Sequence, residues 1–335
     1  MLEKPDIQED KITTCIQQAY GLRASQLEFL PLGADANAAV YRLTTEDGQA
    51  YFVKLKRGTF EEIGVVLPRY LHDQGIPQVI LPMLTGSGQL WTLLEDFQVI
   101  LYPFIQGRNG FEVVLSAHQW ADFGAALKRI HTTTLPDALS SRIPRETYTP
   151  QFRERVTSFL EGVKVDVLDD PVAVKTAALL QAKEAVILDL IQRSERYAHL
   201  LQEQPLEFVL CHADAHAGNL LIADNGALYI VDWDNPILAP KERDLMFIGG
   251  AQGFRGVTAQ EEETLFYRGY GPAQIDQAAL AYYRYERIIQ DIAAFGEQLL
   301  LTSEGGQDRQ QSFQYLASNF LPGNTIEIAQ RSDKL

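Results

Sequence analysis

The 335-residue chain changes character at Tyr102-Pro103-Phe104. Before that point, short alternating runs between turns read as strands. Residues 27–32 and 38–44 have this form, and Glu46-Asp47-Gly48 turns the chain into a further strand over 50–55. Strands are also expected over 79–82, 90–94 and 98–102. Two helices accompany them. One covers 7–20, with Ile7, Ile12, Cys15, Ile16 and Ala19 on one stripe. The other covers 60–74, with Ile63, Val66, Leu67, Tyr70 and Leu71 inward, Gly75 as its stop, and Pro68 predicting a kink or a split. Beyond Phe104 the spacing predicts helices over 116–132, 150–162, 171–203, 259–268, 276–301 and 308–319. One strand pair, at 207–211 and 220–231, interrupts them. A strand-rich part followed by a helical part is an α+β layout. It predicts two lobes, 1–103 and 104–335, with a ligand in the cleft between them.

Composition narrows the function. The hydrophobic fraction is 46% and the charged fraction 22%, enough for a sizeable core. No run approaches the ~20 apolar residues of a membrane span. Met1-Leu2-Glu3-Lys4-Pro5-Asp6 lacks the apolar stretch of a secretory signal, so a cytoplasmic protein is expected. Two cysteines, Cys15 and Cys211, are too few for a disulfide scaffold or a cysteine zinc site. Lys plus Arg total 29 against 44 Asp plus Glu, a net charge of −15 that argues against nucleic acid. It suits a cationic small ligand, and equally plain solubility.

Chemistry concentrates in one segment, His212-x-Asp214-x4-Asn219 followed by Ile230-Val231-Asp232-Trp233-Asp234. Between the two halves, Asp224-Asn225-Gly226 is a hairpin turn. Asn219 lies six residues before Asn225 and Asp232 seven after, so the hairpin sets both at its open end. Asp214, in the preceding loop, can fold back toward them. Two carboxylates and an amide oxygen suit Mg²⁺ completed by phosphate oxygens and water. Phosphoryl transfer needs such a site and one more carboxylate aimed at the acceptor hydroxyl. Asn219 and Asp232 are then the metal ligands and Asp214 the base. Two other readings compete. Each residue alone serves equally well as a turn cap or a solvated strand end. His212-x-Asp214-x-His216 also resembles a transition-metal cluster, although His72, His118, His131 and His199 are scattered singly.

These motifs resemble the aminoglycoside phosphotransferase and choline kinase family, relatives of protein kinases. So do Leu32-Gly33-Ala34-Asp35-Ala36-Asn37-Ala38, Tyr51-Phe52-Val53-Lys54-Leu55-Lys56, Tyr102-Pro103-Phe104-Ile105 and Asn109-Gly110-Phe111. The segment from Leu238 to Gly250 and Tyr283-Arg284-Tyr285-Glu286-Arg287 extend the match to about residue 320. The resemblance implies a bilobal protein-kinase-like fold with a nucleotide-binding first lobe and a catalytic second lobe. Lys54 matches the lysine that grips the nucleotide phosphates, with Lys56 on the same strand face as its rival. Glu62 matches the glutamate that pairs with that lysine. Leu101, Pro103 and Phe104 match the hinge whose backbone reads the adenine edge. Arg243-Asp244 matches a pair that braces the catalytic loop. The loop carrying Asn37 covers the phosphates with a single glycine, Gly33, where protein kinases have several, and no Walker-type motif occurs.

The implied activity is ATP- and Mg²⁺-dependent phosphorylation of a hydroxyl on an aminocyclitol antibiotic, spectinomycin in particular, giving resistance. For a compact dibasic substrate, the candidate contacts are Asp214, Asp234, Glu286 and Asp291, with Trp233, Tyr282 or Tyr283 as aromatic walls. A kinase of choline, a sugar or homoserine is the alternative enzyme. A nucleotide-binding scaffold is the alternative from another class, though a scaffold has no need for Lys54, Asp214, Asn219 and Asp232 together.

Overall fold

The computed structural model describes residues 3–333 except Ala34, Ala36, Asp166, Val167, Pro205 and Glu304. The chain forms two compact units interleaved in sequence. The first takes the residues up to Ile143 together with Asp214–Pro236 and Leu265–Gly271, and the second takes the rest.

The first unit opens with α1 (Glu9–Tyr20), β1 (Ala24–Leu30), β2 (Ala38–Thr45), β3 (Ala50–Arg57), α2 (Ile63–Asp73), β4 (Thr92–Leu94) and β5 (Phe97–Pro103). These strands make one antiparallel sheet in the order β1-β2-β3-β5-β4. Ile12 and Ile16 of α1 are fully buried in a core with Tyr41, Leu43, Val53, Leu55 and Val99. Burying an isoleucine of this kind stabilises by about 1.5–3 kcal/mol. Because strand side chains alternate, Val53 and Leu55 enter that core while Lys54 and Lys56 take the opposite face of β3. β6 (Gly107–Asn109), α3 (Ala117–Thr132) and α4 (Asp137–Ser140) follow. A reciprocal cap starts α3. The Ser116 hydroxyl accepts from the Gln119 N–H, and the Gln119 side chain accepts from the Ser116 N–H.

Two expectations in this unit need correction. α2 is one continuous helix with Pro68 inside it, so the chain is not split there. It begins at Ile63, so the missing proline N–H removes one bond, to the Gly64 carbonyl, within two turns of the start. Residues 79–82 form no strand. Val79 makes an isolated parallel bridge to Ile230, and Gln78 O accepts from the Ile230 N–H.

The second unit begins with α5 (Gln151–Gly162), α6 (Pro171–Ala182), α7 (Glu184–Gln202) and β7 (Val209–Cys211). The helix expected over 171–203 is therefore two, broken at Lys183, whose φ of −108° and ψ of 7° leave the helical region. No proline or glycine marks the break; α6 packs against α10 and α11 and α7 along α10. The chain returns to the first unit as the hairpin β8 (Leu220–Ala223) and β9 (Leu228–Ile230), which β6 extends to three strands. The second unit then resumes with β10 (Ile237–Ala239), α8 (Glu242–Leu245), α9 (Ala259–Tyr270), α10 (Gln277–Leu301), α11 (Gly306–Ser318) and α12 (Thr325–Ser332). α9 ends within the first unit. β7 pairs with β10, so the strand expected over 207–211 has no share in the hairpin. α10 is the spine, burying Tyr282, Tyr283, Tyr285, Ile288, Ile289 and Ile292 against α5, α7, α11 and α12. Among the described residues no helix is long and apolar enough to cross a membrane.

One ion pair ties this unit together. Asp170 caps α6 through the Ala173 N–H at 2.7 Å and accepts from the Arg309 guanidinium at 2.7 Å, Arg309 being only 2% exposed. The Ala173 N–H, with Arg309 beside it, holds the Asp170 carboxyl below its ordinary value against the opposing effect of burial. A depressed carboxylate contributes stability above its unfolded value, about 3.9, and loses it as pH falls through the lower folded value. Thermal unfolding should therefore show the wild type more stable than Asp170→Asn at neutral pH, with the difference closing below about pH 4. A difference that persists at pH 2 would assign the effect to packing.

Candidate active site

The hairpin delivers what its turn implies. The Asn225 side chain accepts from the Ala227 N–H at 3.0 Å, and Leu220 pairs with Ile230. Asn219 then faces Val231, whose N–H donates to the Asn219 carbonyl at 2.9 Å. Asp232 follows at once with a φ of 64°, a left-handed conformation that asparagine and aspartate tolerate better than most residues. On the other side, the Asn219 side-chain N–H₂ donates to the Asp214 carbonyl at 2.9 Å and to its carboxylate at 3.3 Å. Asp214, Asn219 and Asp232 thus converge, all within the first unit.

Lys54 joins them from β3. Its ammonium donates to Asp232 at 2.9 Å and to Asp234 at 2.8 Å, and Lys56 donates to the other oxygen of Asp234 and lies 3.7 Å from Asp35. Burial alone would lower the Lys54 ammonium, but Asp232 and Asp234 outweigh it and hold the group above the usual lysine value. Burial would likewise raise Asp234, and the two lysines outweigh it in the other direction. Both lysines therefore share one carboxylate, which the alternation of β3 makes unavoidable once Asp234 reaches that face.

In the second unit, Asp244 is fully buried and its carboxylate accepts the His212 N–H at 2.9 Å and the Ala213 N–H at 2.7 Å. Ala213 has a φ of 70°, and this brace holds that strained residue directly before Asp214. The expected bracing by Arg243-Asp244 is thus carried by the aspartate. Arg243 lies over the Tyr283 ring and donates to Gln290.

Several expected residues sit elsewhere in the chemistry. Glu62 pairs with Arg142 at 2.7 Å and accepts from the Trp91 N–H, while Lys54 takes the aspartates. A long arginine reaches the start of α2, whereas the β8–β9 end brings two carboxylates directly to Lys54. Leu101 O accepts from the Met83 N–H, Phe104 N–H donates to Ala50 O, and Pro103 pairs with Tyr51, so this part of the expected hinge is already engaged within the unit. Asn37 uses its backbone, N–H to Asp35 and C=O to Arg57, while Ala34 and Ala36 of the same loop lie outside the described residues. Trp233, expected as an aromatic wall, is 5% exposed and donates to the Ile230 carbonyl, so it is a core residue. Gly64 permits this packing, since a Cβ there would come within 2.9 Å of the Trp233 carbonyl. Tyr282 and Tyr283 are likewise buried. Glu286 is 2% exposed, receives the Ser194 hydroxyl and lies 3.6 Å from Arg153, and Asp291 pairs with Arg287 one turn away on α10. The transition-metal reading gains no support, because among the described residues His212, Asp214 and His216 do not bring their ligand atoms together as one candidate metal group.

The model of the Phosphotransferase enzyme family matches residues 28–283. The chain belongs to this family. As a phosphotransferase it is a small-molecule kinase with a protein-kinase-like α+β fold, and nucleotide binding comes with that membership. A crystal structure of spectinomycin phosphotransferase in complex with ADP and spectinomycin is similar at 39% identity, covering 99% of this chain and 100% of that one, with a TM-score of 0.90. An AMP-bound complex of spectinomycin phosphotransferase matches at 37% identity over 97% and 99%, with a TM-score of 0.85. A Plasmodium vivax ethanolamine kinase shares the fold, at 13% identity over 92% and 84% and a TM-score of 0.58.

Proposed function

We propose that this phosphotransferase uses ATP and Mg²⁺ to phosphorylate a hydroxyl of spectinomycin, and that it thereby confers resistance. The observation that carries the substrate is the similarity, at 39% identity and over nearly the whole of both chains, to spectinomycin phosphotransferase. The chemistry rests on Lys54, Asp214, Asn219 and Asp232 converging at one hairpin end.

The residues present suit the metal. Asn219 turns its N–H₂ toward Asp214, which leaves its amide oxygen as a ligand, and Asp232 offers a half-exposed carboxylate. An all-oxygen donor set is what Mg²⁺ takes. Asn219 and Asp232 would hold it, and when bound it would neutralise charge on the transferred phosphate. Lys54 positions the nucleotide phosphates, with Lys56 beside it. Asp214 accepts the proton of the attacking hydroxyl as its oxygen bonds to the γ-phosphorus and the bond to the β,γ-bridging oxygen breaks, releasing ADP. The segment of Leu101, Pro103 and Phe104 would meet adenine through backbone groups other than the engaged Leu101 carbonyl and Phe104 N–H, and Glu62 supports α2 through Arg142. The nucleotide would be held by residues 1–103, and 104–335 would bring the substrate to it. The net charge of −15 is compatible with a cationic substrate, and a cytoplasmic location would supply the ATP.

The purified protein should release ADP with spectinomycin and magnesium and yield a spectinomycin monophosphate by mass spectrometry. Cells expressing it should tolerate spectinomycin without comparable tolerance to kanamycin. Turnover of choline, a sugar or homoserine with none of spectinomycin would replace the assignment by a metabolite kinase.

A further inference from the structure

His216 and Phe111 have no part in the chemistry assigned so far, yet both stand at Asp214. His216 Nε2 lies 3.6 Å from Asp214 Oδ1, on the side of the carboxylate opposite Asn219, whose amide approaches Oδ2 at 3.3 Å. The other ring nitrogen, Nδ1, accepts the Gly218 N–H at 3.0 Å. An acceptor carries no proton, so in the neutral ring the proton sits on Nε2, the nitrogen nearer the carboxylate. Catalytic hydrogen bonds commonly tighten from such a separation when the reacting groups are in place.

The ring is held in that plane by its surroundings. Phe111 stacks on it, with centroids 5.4 Å apart and planes 13° from parallel. Gly218 makes the stack possible, because a Cβ there would come within 2.6 Å of the Phe111 ring and 2.7 Å of His216 Cε1. Phe111 is itself placed from below. Its N–H donates to the Asn109 side chain, and the Gly110 N–H donates to Ala217 O at 2.9 Å and Leu220 O at 3.0 Å. The loop after β6 is thus clamped to the segment that carries His216. A phenylalanine 44% exposed has little burial to justify its place, and the stack supplies the reason.

We propose that His216 is a positioning residue for the phosphoryl transfer: with its tautomer set by Gly218 and its plane by Phe111, it orients the Asp214 carboxylate that receives the hydroxyl proton. With Asn219 at Oδ2 and the His216 N–H closing on Oδ1 as the substrate binds, the carboxylate would lose its free rotation and its remaining lone pairs would keep one direction. The inference rests on Asp214 as the base. A transition state that asks more of positioning than of basicity makes such orientation matter.

Steady-state kinetics with spectinomycin on His216→Phe, His216→Gln and Asp214→Asn test it. His216→Phe keeps the stack and removes the donor, and kcat should fall by about tenfold to a hundredfold, the range for loss of an orienting partner, with KM for ATP within about threefold. His216→Gln restores an N–H near the position of Nε2 and should recover kcat to within about fivefold of wild type. A folded His216→Phe with wild-type kcat overturns the inference, as does a loss that His216→Gln does not repair, which makes the ring mere packing. Should His216→Phe not fold, Phe111→Leu carries the test, with a severalfold loss in kcat expected at unchanged KM for ATP and an unchanged kcat overturning it. Asp214→Asn separates the two readings. If it lowers kcat strongly while a folded His216→Phe keeps the wild-type kcat, only the role of His216 falls. If it is as active as wild type, both fall.

Discussion

Asp214→Asn should lower kcat by roughly 10²–10³, with KM for ATP nearly unchanged, when spectinomycin phosphorylation is followed by ADP release. The substitution keeps the shape of the side chain and one acceptor oxygen. It removes the charge proposed to take the proton and to attract a cationic substrate. A positioned general base contributes ~10²–10⁴-fold, and a loose phosphoryl-transfer transition state draws on the lower part of that range. Asp214→Ala should be worse, because the side-chain acceptor for the Asn219 amide is lost as well, leaving only the backbone carbonyl. A wild-type kcat with weakened ATP binding would make Asp214 a metal or structural residue, and Asp234 would be the next candidate for the base.

Asp232→Asn should be nearly inactive at ordinary Mg²⁺ while folding as the wild type does. Asparagine tolerates the φ of 64° at this position better than alanine, so the backbone is left without new strain. What disappears is one negative charge, which pairs with Lys54 2.9 Å away and would also hold the proposed metal. Charge stabilisation by a bound metal is worth several kcal/mol, and about 4 kcal/mol corresponds to a ~10³-fold loss in kcat. Partial recovery at raised Mg²⁺ would fit a weakened site. Full activity at ordinary Mg²⁺ would sink the metal assignment. Thermal unfolding of both variants separates a lost charge from a lost fold.

Local chemistry accounts for most of what was legible in advance. The Asn225 turn, the alternation of 50–55 and the helical stripes over 7–20 and 116–132 became the β8–β9 hairpin, β3, α1 and α3, because each depends on neighbours within a few residues. Lys54 and Lys56 on one face follow from the same period. Where a partner lay far along the chain, the pattern was silent. Nothing near Lys183 announces a break between α6 and α7, since their separate packing against α10 and α11 decides it. Pro68 suggested a split, but so near the start of α2 it removes one hydrogen bond and the helix runs on.

The site divides along the same line. The sequence by itself determined that Asn219 and Asp232 share a hairpin end and that Lys54 leaves β3 away from the core, because turn chemistry and strand alternation are short-range. Only the tertiary structure decided that Lys54 meets Asp232 and Asp234 rather than Glu62, that Asp244 braces the backbone before Asp214, and that Trp233 and Glu286 are packed inside. Each of those outcomes joins residues by burial and charge across segments of chain whose spacing carries no period, and only packing brings them to contact distance.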